Sequence, residues 1–374
     1  MTTKNILVTG GMGFVGSYLV DELVQRGHRV RIFDNLDPQV HPNRELPDYA
    51  NPHAEFIQAD IRDYDAVKKA LQGIEIIFHK AAAVGVGQSQ YEIKKYVDVN
   101  TGGTANLLDI LVNNKHNIEK LIVAASQTSY GEGRYTCAEH GTQHPGPRPE
   151  NQLKKAHWEH RCPLCNQDMP PAPVSEDTER LCHTIYAQTK THQEDMVLNI
   201  GRAYKIPSIA LRYFNIFGPR QSLSNPYTGV TAIFMSRLKN NKRPVIYEDG
   251  KQSRDFISVH DIVRANILAM EKSEGDYQAF NVGSGSGTSI EHIALTLSNI
   301  LGTEHLAPDI PGTYRQGDTR HSIADISRIK KTLGFKPSVS FQHGMEELVD
   351  WGRDREAIDG FAKAQDALQQ RGLI

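Results

Sequence analysis

Thr9-Gly10-Gly11-Met12-Gly13-Phe14-Val15-Gly16 follows the apolar run Asn5–Val8 and opens an amphipathic pattern over Val15–Gln25. The stretch reads as a strand, a glycine turn and a helix. Its glycines at 10, 13 and 16 have the spacing G-x-x-G-x-x-G. Gly10 permits the tight turn, Gly13 lets the backbone approach a pyrophosphate, and Gly16 allows close helix–strand packing. The helix N-terminus adds N–H donors and partial positive charge, and Phe14 and Val15 open that helix on the same surface.

Working outward, Arg29–Phe33, Glu55–Gln58, Ile74–Phe78 and Leu121–Ala124 are short strand-like runs separated by helical patterns such as Ala66–Leu71. That alternation means βαβ units and a parallel sheet. Asp34 ends the second strand eighteen residues after Gly16. There a carboxylate accepts from both ribose hydroxyls of a dinucleotide and repels a 2′-phosphate, which favours NAD over NADP. Asn35 adjoins it, and Asp60-Ile61 after the third strand are placed to meet the adenine.

The chain has 374 residues, which suits a large lobe and a smaller one. We expect a Rossmann-type doubly wound parallel sheet over residues 1–216, with an insert at 134–180. A smaller α/β substrate lobe occupies mainly 217–353, with some segments returning to the large domain. The tail, 354–374, is polar and helix-prone and reads as peripheral. Net charge is −2, from 42 basic and 44 acidic side chains. No global field exists to hold a nucleic acid, so any phosphate must be bound locally. The absence of a long apolar run or a charged-then-apolar leader leads us to expect no membrane association and a cytoplasmic enzyme.

Tyr186-Ala187-Gln188-Thr189-Lys190 places Tyr and Lys at i and i+4, on one face of a helix. An ammonium near a phenol favours the phenolate and makes it a usable base closer to neutral pH. Taken with the glycine turn, this pair resembles the extended short-chain dehydrogenase/reductase family of nucleotide-sugar epimerases and dehydratases. The resemblance covers about Lys4 to Trp351, interrupted by Arg134–Glu179.

The resemblance implies roles for further residues. Ser126 corresponds to the Ser/Thr that hydrogen-bonds the reacting sugar oxygen, with Thr128 beside it on the substrate. His79-Lys80-Ala81-Ala82-Ala83 looks like the H-x-A-A segment lining the cofactor, and Asn100 like a helix-embedded asparagine at the same site. Asn215, in Leu211-Arg212-Tyr213-Phe214-Asn215, contacts the sugar diphosphate; Arg254 and Arg315 meet its phosphates. Tyr186 is then the proton-transferring group, and Lys190 tunes it and holds the nicotinamide ribose. The implied reaction oxidises a sugar carbon, lets the keto-sugar turn, and reduces it from the other face. Homodimers joined through helices are common in this family.

From Arg134 to Glu179 the periodicity gives way to Pro, His, Cys and charge. Cys137-x-x-His140 and Cys162-x-x-Cys165 form two ligand pairs of the kind that hold a structural zinc, which can fold a segment lacking an adequate apolar core. His144, His157, His160 and Cys182 are alternatives to His140. The insert precedes the Tyr186 helix, where it could wall one side of the sugar pocket. Together with Asn225-Pro226-Tyr227-Thr228-Gly229-Val230, it resembles a subgroup associated with dTDP-L-rhamnose 4-epimerase activity.

We read the chain as a C4 epimerase of a nucleotide-diphosphate sugar. The alternatives are a UDP-glucose/UDP-glucuronate-type 4-epimerase, a 4,6-dehydratase or decarboxylase, and a non-catalytic NAD-binding protein with a zinc interaction module. An activated phenol argues against the last. Dehydratases of the family carry an Asp-Glu pair directly after the Ser/Thr, and the decarboxylases a Glu where Thr128 stands. This chain reads Ser126-Gln127-Thr128-Ser129-Tyr130.

Overall fold

Seven strands, all parallel, build the larger sheet of the computed structural model, which describes residues 2–373. They are β1 (Asn5–Thr9), β2 (Arg29–Asp34), β3 (Glu55–Gln58), β4 (Ile76–His79), β5 (Lys120–Ser126), β6 (Ser208–Tyr213) and β7 (Gln278–Val282). Their spatial order is β7-β6-β5-β4-β1-β2-β3. β4, β5 and β6 are buried at every position, as strands covered by helices on both faces must be. One face packs Leu19, Val20 and Leu23 of helix Phe14–Gln25 with Ile262 and Ala265 of helix Val259–Glu271. The other packs Leu107 and Leu111 of helix Gly103–Asn113 with Val197 and Leu198 of helix Ile185–Tyr204.

The Ile185–Tyr204 helix starts where it does because Thr184 caps it, its side chain accepting from Ala187 N at 3.1 Å. That cap sets Tyr186 in the first turn and Lys190 one turn later.

The smaller lobe has its own core, including Phe217, Phe234, Met235, Phe256, Ile293, Leu297, Met345 and Leu348. A short mixed sheet crosses it, with Asn215–Phe217, Gly287–Ser289 and His321–Ser322 arranged about Ser253–Ser258. The insert forms a separate three-stranded sheet of Gly141–Gln143, Arg134–Cys137 and Pro171–Ala172. Its core is small, made of Tyr135, Cys137, Cys162 and Met169 with Cys165 against them.

Candidate active site

The carboxyl ends of the large-sheet strands bring Gly10, Asp34, Lys80, Ser126 and Tyr213 to one crevice, the usual position of a ligand in an open α/β sheet. The cavity there measures about 820 Å³ and runs on into the smaller lobe. Gly10, Gly13, Phe14, Val15, Gly16, Asp34, Asn35, Ile61, Ala81, Ala82 and Ala83 line it, as do Ser126, Thr128, Tyr186, Lys190, Asn215, Arg254 and Arg315.

The glycine turn has the tolerances a pyrophosphate cradle needs. Gly10 has φ +69°, and a Cβ there would stand 2.8 Å from Ala81 N. At Gly16 a Cβ would fall 2.1 Å from Gly10 O, so helix and turn touch through backbone. Asp34 is fixed by backbone donors, Met12 N to Oδ2 at 3.0 Å and Leu36 N to Oδ1 at 2.9 Å. Burial raises its pKa, and those bonds partly offset the rise. Lone pairs remain on both oxygens for a vicinal diol. These features fit NAD.

Two expected cofactor residues are absent from the cavity lining. The Asp60 carboxylate is held by Arg62 and by Asn35 Nδ2 at 2.9 Å. Only Ile61 of that pair reaches the cavity. Asn100 is fully buried in a π-helical turn, Val97–Gly102. Its amide spans Ala83, accepting from Ala83 N at 2.7 Å and donating to Ala83 O at 3.1 Å. Asn100 therefore shapes the Ala81–Ala83 wall from behind.

Thr128 Oγ1 lies 2.9 Å from Ser126 Oγ, so the two hydroxyls form a pair. Burial pushes the Tyr186 phenol up to about 12, with a hydrogen bond to Ser126 working the other way. Burial pulls Lys190 down to about 7. Its amine donates to Gln193 Oε1 at 2.6 Å, a partner that no motif in the sequence points to. A second cavity lysine, Lys80, is half-buried and donates to Tyr213 OH at 2.8 Å and to Asn266 Oδ1 at 2.6 Å. Gln127, which follows Ser126 on the cavity wall, accepts from Ser322 Oγ at 2.6 Å.

On the other lobe, Arg254 is aimed by carbonyls, donating to Ser253 O and Arg320 O at 2.9 Å and also to Thr319 O. Among the described residues it has no carboxylate in ion-pair contact. Arg315 is paired to Asp318 at 2.8 Å and stacks over Tyr247. The Asn215 Oδ1 atom is buried without a partner among the described residues.

Cys137, His140, Cys162 and Cys165 converge, with ligand atoms all within 4.8 Å of one another. Cys137 Sγ stands 3.5 Å from His140 Nδ1 and 3.6 Å from Cys165 Sγ, and Cys162 Sγ is 3.6 Å from His140 Nδ1. Around tetrahedral zinc, bond lengths of about 2.3 Å to S and about 2.0 Å to N give edges of roughly 3.5–3.8 Å. The donor set fits. Of the alternatives to His140, His160 is bound to Glu132 at 2.9 Å and Cys182 to Thr191 at 3.1 Å.

The insert does not wall the sugar pocket: no residue between 134 and 180 lines the cavity. It braces the smaller lobe instead. Arg148 donates to Glu248 at 2.7 Å and to Asp318 O at 2.8 Å, and Glu159 pairs with Arg320 and His321. The tail also departs from expectation. Helix Phe361–Gln369 is not peripheral, since Phe361, Ala364, Gln365 and Leu368 line the cavity. Their spacing is that of one helical face, legible in the sequence but outweighed by the polar composition around it.

A Rossmann sheet sharing one cavity with a Tyr-x-x-x-Lys helix and two arginines defines a dinucleotide-dependent enzyme of the short-chain dehydrogenase/reductase class. The sequence pattern of the NAD dependent epimerase/dehydratase family matches residues 6–283, and the chain belongs to that family. It is 37% identical over 354 residues to a dTDP-L-rhamnose 4-epimerase of Burkholderia thailandensis, covering 93% of this chain and 94% of the relative. Among solved structures, it resembles a UDP-N-acetylglucosamine 4-epimerase of Methanobrevibacter ruminantium in complex with UDP-N-acetylmuramic acid. That likeness has a TM-score of 0.77 and 32% identity, over 95% of this chain and 100% of that one. A UDP-glucuronic acid 4-epimerase of Bacillus cereus, in complex with UDP-glucuronic acid and NAD, matches with a TM-score of 0.76 and 26% identity, over 94% and 100%.

Proposed function

We propose that this protein is an NAD-dependent epimerase that inverts C4 of a nucleotide-diphosphate sugar through a transient keto-sugar, with dTDP-L-rhamnose its first candidate substrate. The observation that carries this reading is one cavity holding Ser126, Tyr186 and Lys190 together with the Gly10–Gly16 turn, Asp34 and Arg254. A guanidinium aimed by carbonyls and lacking a carboxylate partner calls for an anion, and a substrate diphosphate supplies one.

Asp34 would hold the adenosine ribose of NAD and the glycine turn its pyrophosphate, with Ala81–Ala83 lining the same cavity. Bound there, NAD supplies the hydride acceptor for the first half-reaction and the donor for the second. Tyr186 takes the proton from the sugar hydroxyl as its phenolate, the form that the positive charges of bound NAD and of the Lys190 ammonium would favour against burial, and Ser126, oriented by Thr128, donates to the developing oxyanion. Tyr186 returns the proton once the sugar presents its other face. Arg254 and Arg315 anchor the diphosphate, with Asn215 beside them, so binding energy is placed away from the reacting carbon and leaves the sugar ring able to turn.

A UDP-glucose- or UDP-glucuronate-type 4-epimerase is the second reading, favoured by the names of other relatives and using the same residues. The dehydratase and decarboxylase are less well supported. Gln127 is committed to Ser322, Thr128 to Ser126, and Glu132 to His160 and Arg320 N, so none is a free acid beside the sugar. A structural zinc on Cys137, His140, Cys162 and Cys165 belongs to the same proposal, as do a cytoplasmic location and a homodimer, checked by light scattering. Among the described residues no helix is long and apolar enough to cross a membrane. The test is a panel of UDP-, dTDP-, GDP- and CDP-sugars with products identified by NMR. Inversion at C4 of one of them supports the reading, and failure to invert any of them overturns it.

A further inference from the structure

Helix Phe361–Gln369 is attached to the molecule in an unusual way. The strap before it is pinned to both lobes. Arg355 pairs with Asp48 at 2.5 Å, Ile358 N donates to Ser224 Oγ at 3.0 Å, and Asp359 meets Lys242 at 2.9 Å and Arg237 at 3.4 Å. Beyond Phe361 this changes. Among the described residues, 361–373 hydrogen-bonds back only to the end of the strap, Phe361 N to Asp359 Oδ1 at 3.1 Å and Ala364 N to Gly360 O at 3.1 Å, and has no hydrogen bond or ion pair to any residue before Asp359. What holds the helix is apolar contact and two stacked arginines, Arg237 over the Phe361 ring at 4.7 Å and Arg371 over the Tyr91 ring at 4.4 Å.

The face so held is the one turned to the cavity. Ala364 and Leu368 are 7% and 6% exposed. A Cβ built on Gly87 would lie 3.4 Å from Leu368 Cδ2 and 3.7 Å from Arg315 Nη1. At Gly87, then, the terminal helix, the cavity floor and an arginine proposed for phosphate binding come together.

We propose that this helix is the cover that retains the oxidised sugar between the two half-reactions, with Leu368 closing it over Gly87; the inference rests on the epimerase reading. In the first half-reaction the sugar carbon gives its hydride to NAD and the hydroxyl proton goes to Tyr186, leaving a ketone. If that ketone leaves, the protein keeps NADH and a protonated Tyr186 and cannot turn over again. A cover held by apolar contacts and two arginine–ring stackings, next to a strap fixed at several points, opens for substrate exchange without breaking a hydrogen bond or ion pair to either lobe. It also excludes water while closed.

The test compares the full chain with a deletion of residues 360–374 and with Leu368→Asp, all carrying NAD and offered the sugar that the wild type epimerises. Two quantities are read after many turnovers: the fraction of protein holding NADH, by its near-ultraviolet absorbance, and the keto-sugar in the filtrate, by mass. Both variants should raise both quantities at least about tenfold per turnover, the scale on which one buried leucine contact acts. Leu368→Met, which keeps an apolar side chain, should behave as wild type. Unchanged NADH and keto-sugar in the two disruptive variants overturn the inference, even if turnover has slowed, because slowing alone is what a general loss of structure would give. A wild type that inverts no nucleotide sugar overturns the epimerase reading itself, a distinguishable failure.

Discussion

Lys190 donates to the side-chain oxygen of Gln193, three residues further along the same helix, at 2.6 Å, so a neutral amide holds the amine. Gln193 is fixed in turn by its own donation to Thr104 Oγ1 at 2.8 Å. Glu194 partly offsets the cost of charge at Lys190, but burial dominates and lowers its pKa from 10.5 to about 7.

A lysine whose folded pKa lies below its unfolded one destabilises the fold while charged. The cost is complete below about pH 7 and fades as pH rises from there towards 10.5. Lys190→Met should therefore raise the Tm of the NAD-free protein most at pH 6, with the gain shrinking steadily up to pH 10. A gain that is flat or grows with pH contradicts a buried, poorly compensated amine. The same variant should lose epimerase activity.

Tyr186→Phe removes only the hydroxyl that moves the proton. Turnover should fall about a hundred- to ten-thousand-fold, the usual contribution of a general acid–base group, while calorimetric affinity for the nucleotide sugar stays nearly unchanged. Turnover within a factor of about three of wild type would take Tyr186 out of the mechanism.

Metal analysis of protein purified without added zinc should find about one zinc per chain. Cys162→Ser should lower that content and the Tm together. Because the insert grips Glu248 and Asp318 O through Arg148, and Glu159 binds Arg320, whose carbonyl helps aim Arg254, the variant should also bind the nucleotide diphosphate more weakly. NAD content should change little. Metal content unaffected by the substitution would require other ligands.

Product and substrate should have the same mass. With Gln127 held by Ser322 and Glu132 held by His160, no free carboxyl group follows Ser126 to take a proton from C5 and expel the C6 hydroxyl. Mass spectrometry showing a product lighter by one water, or by carbon dioxide, would point to an acid–base pair elsewhere in the cavity.

What the sequence made legible is what short-range spacing determines. Gly10, Gly13 and Gly16 announce the turn because a strand precedes them and a helix follows, and Tyr186 and Lys190 share a helix face by simple arithmetic. The parallel sheet follows from the alternation of runs. Long-range partners were not legible. Whether Asn100 faces a cofactor or props Ala83 depends on a π-turn that shifts the register of its side chain. Asp60 is occupied by Arg62, two residues away, a competition that motif matching passes over. Gln193 carries no signal of its own, and nothing in the cysteine-rich stretch says which lobe it will brace.

The order in which the large sheet is completed has a consequence for how the molecule comes into being. β7 (Gln278–Val282) joins the sheet beside β6, but lies after Asn215–Phe217 and Ser253–Ser258 of the smaller lobe in the chain. A nascent chain released only as far as Phe217 would therefore display β6, buried at all six positions in the finished protein, as an uncovered edge. Bare apolar edges recruit other strands and aggregate. The two lobes are thus not separable cassettes. A fragment cut after Phe217 should collect in the insoluble fraction.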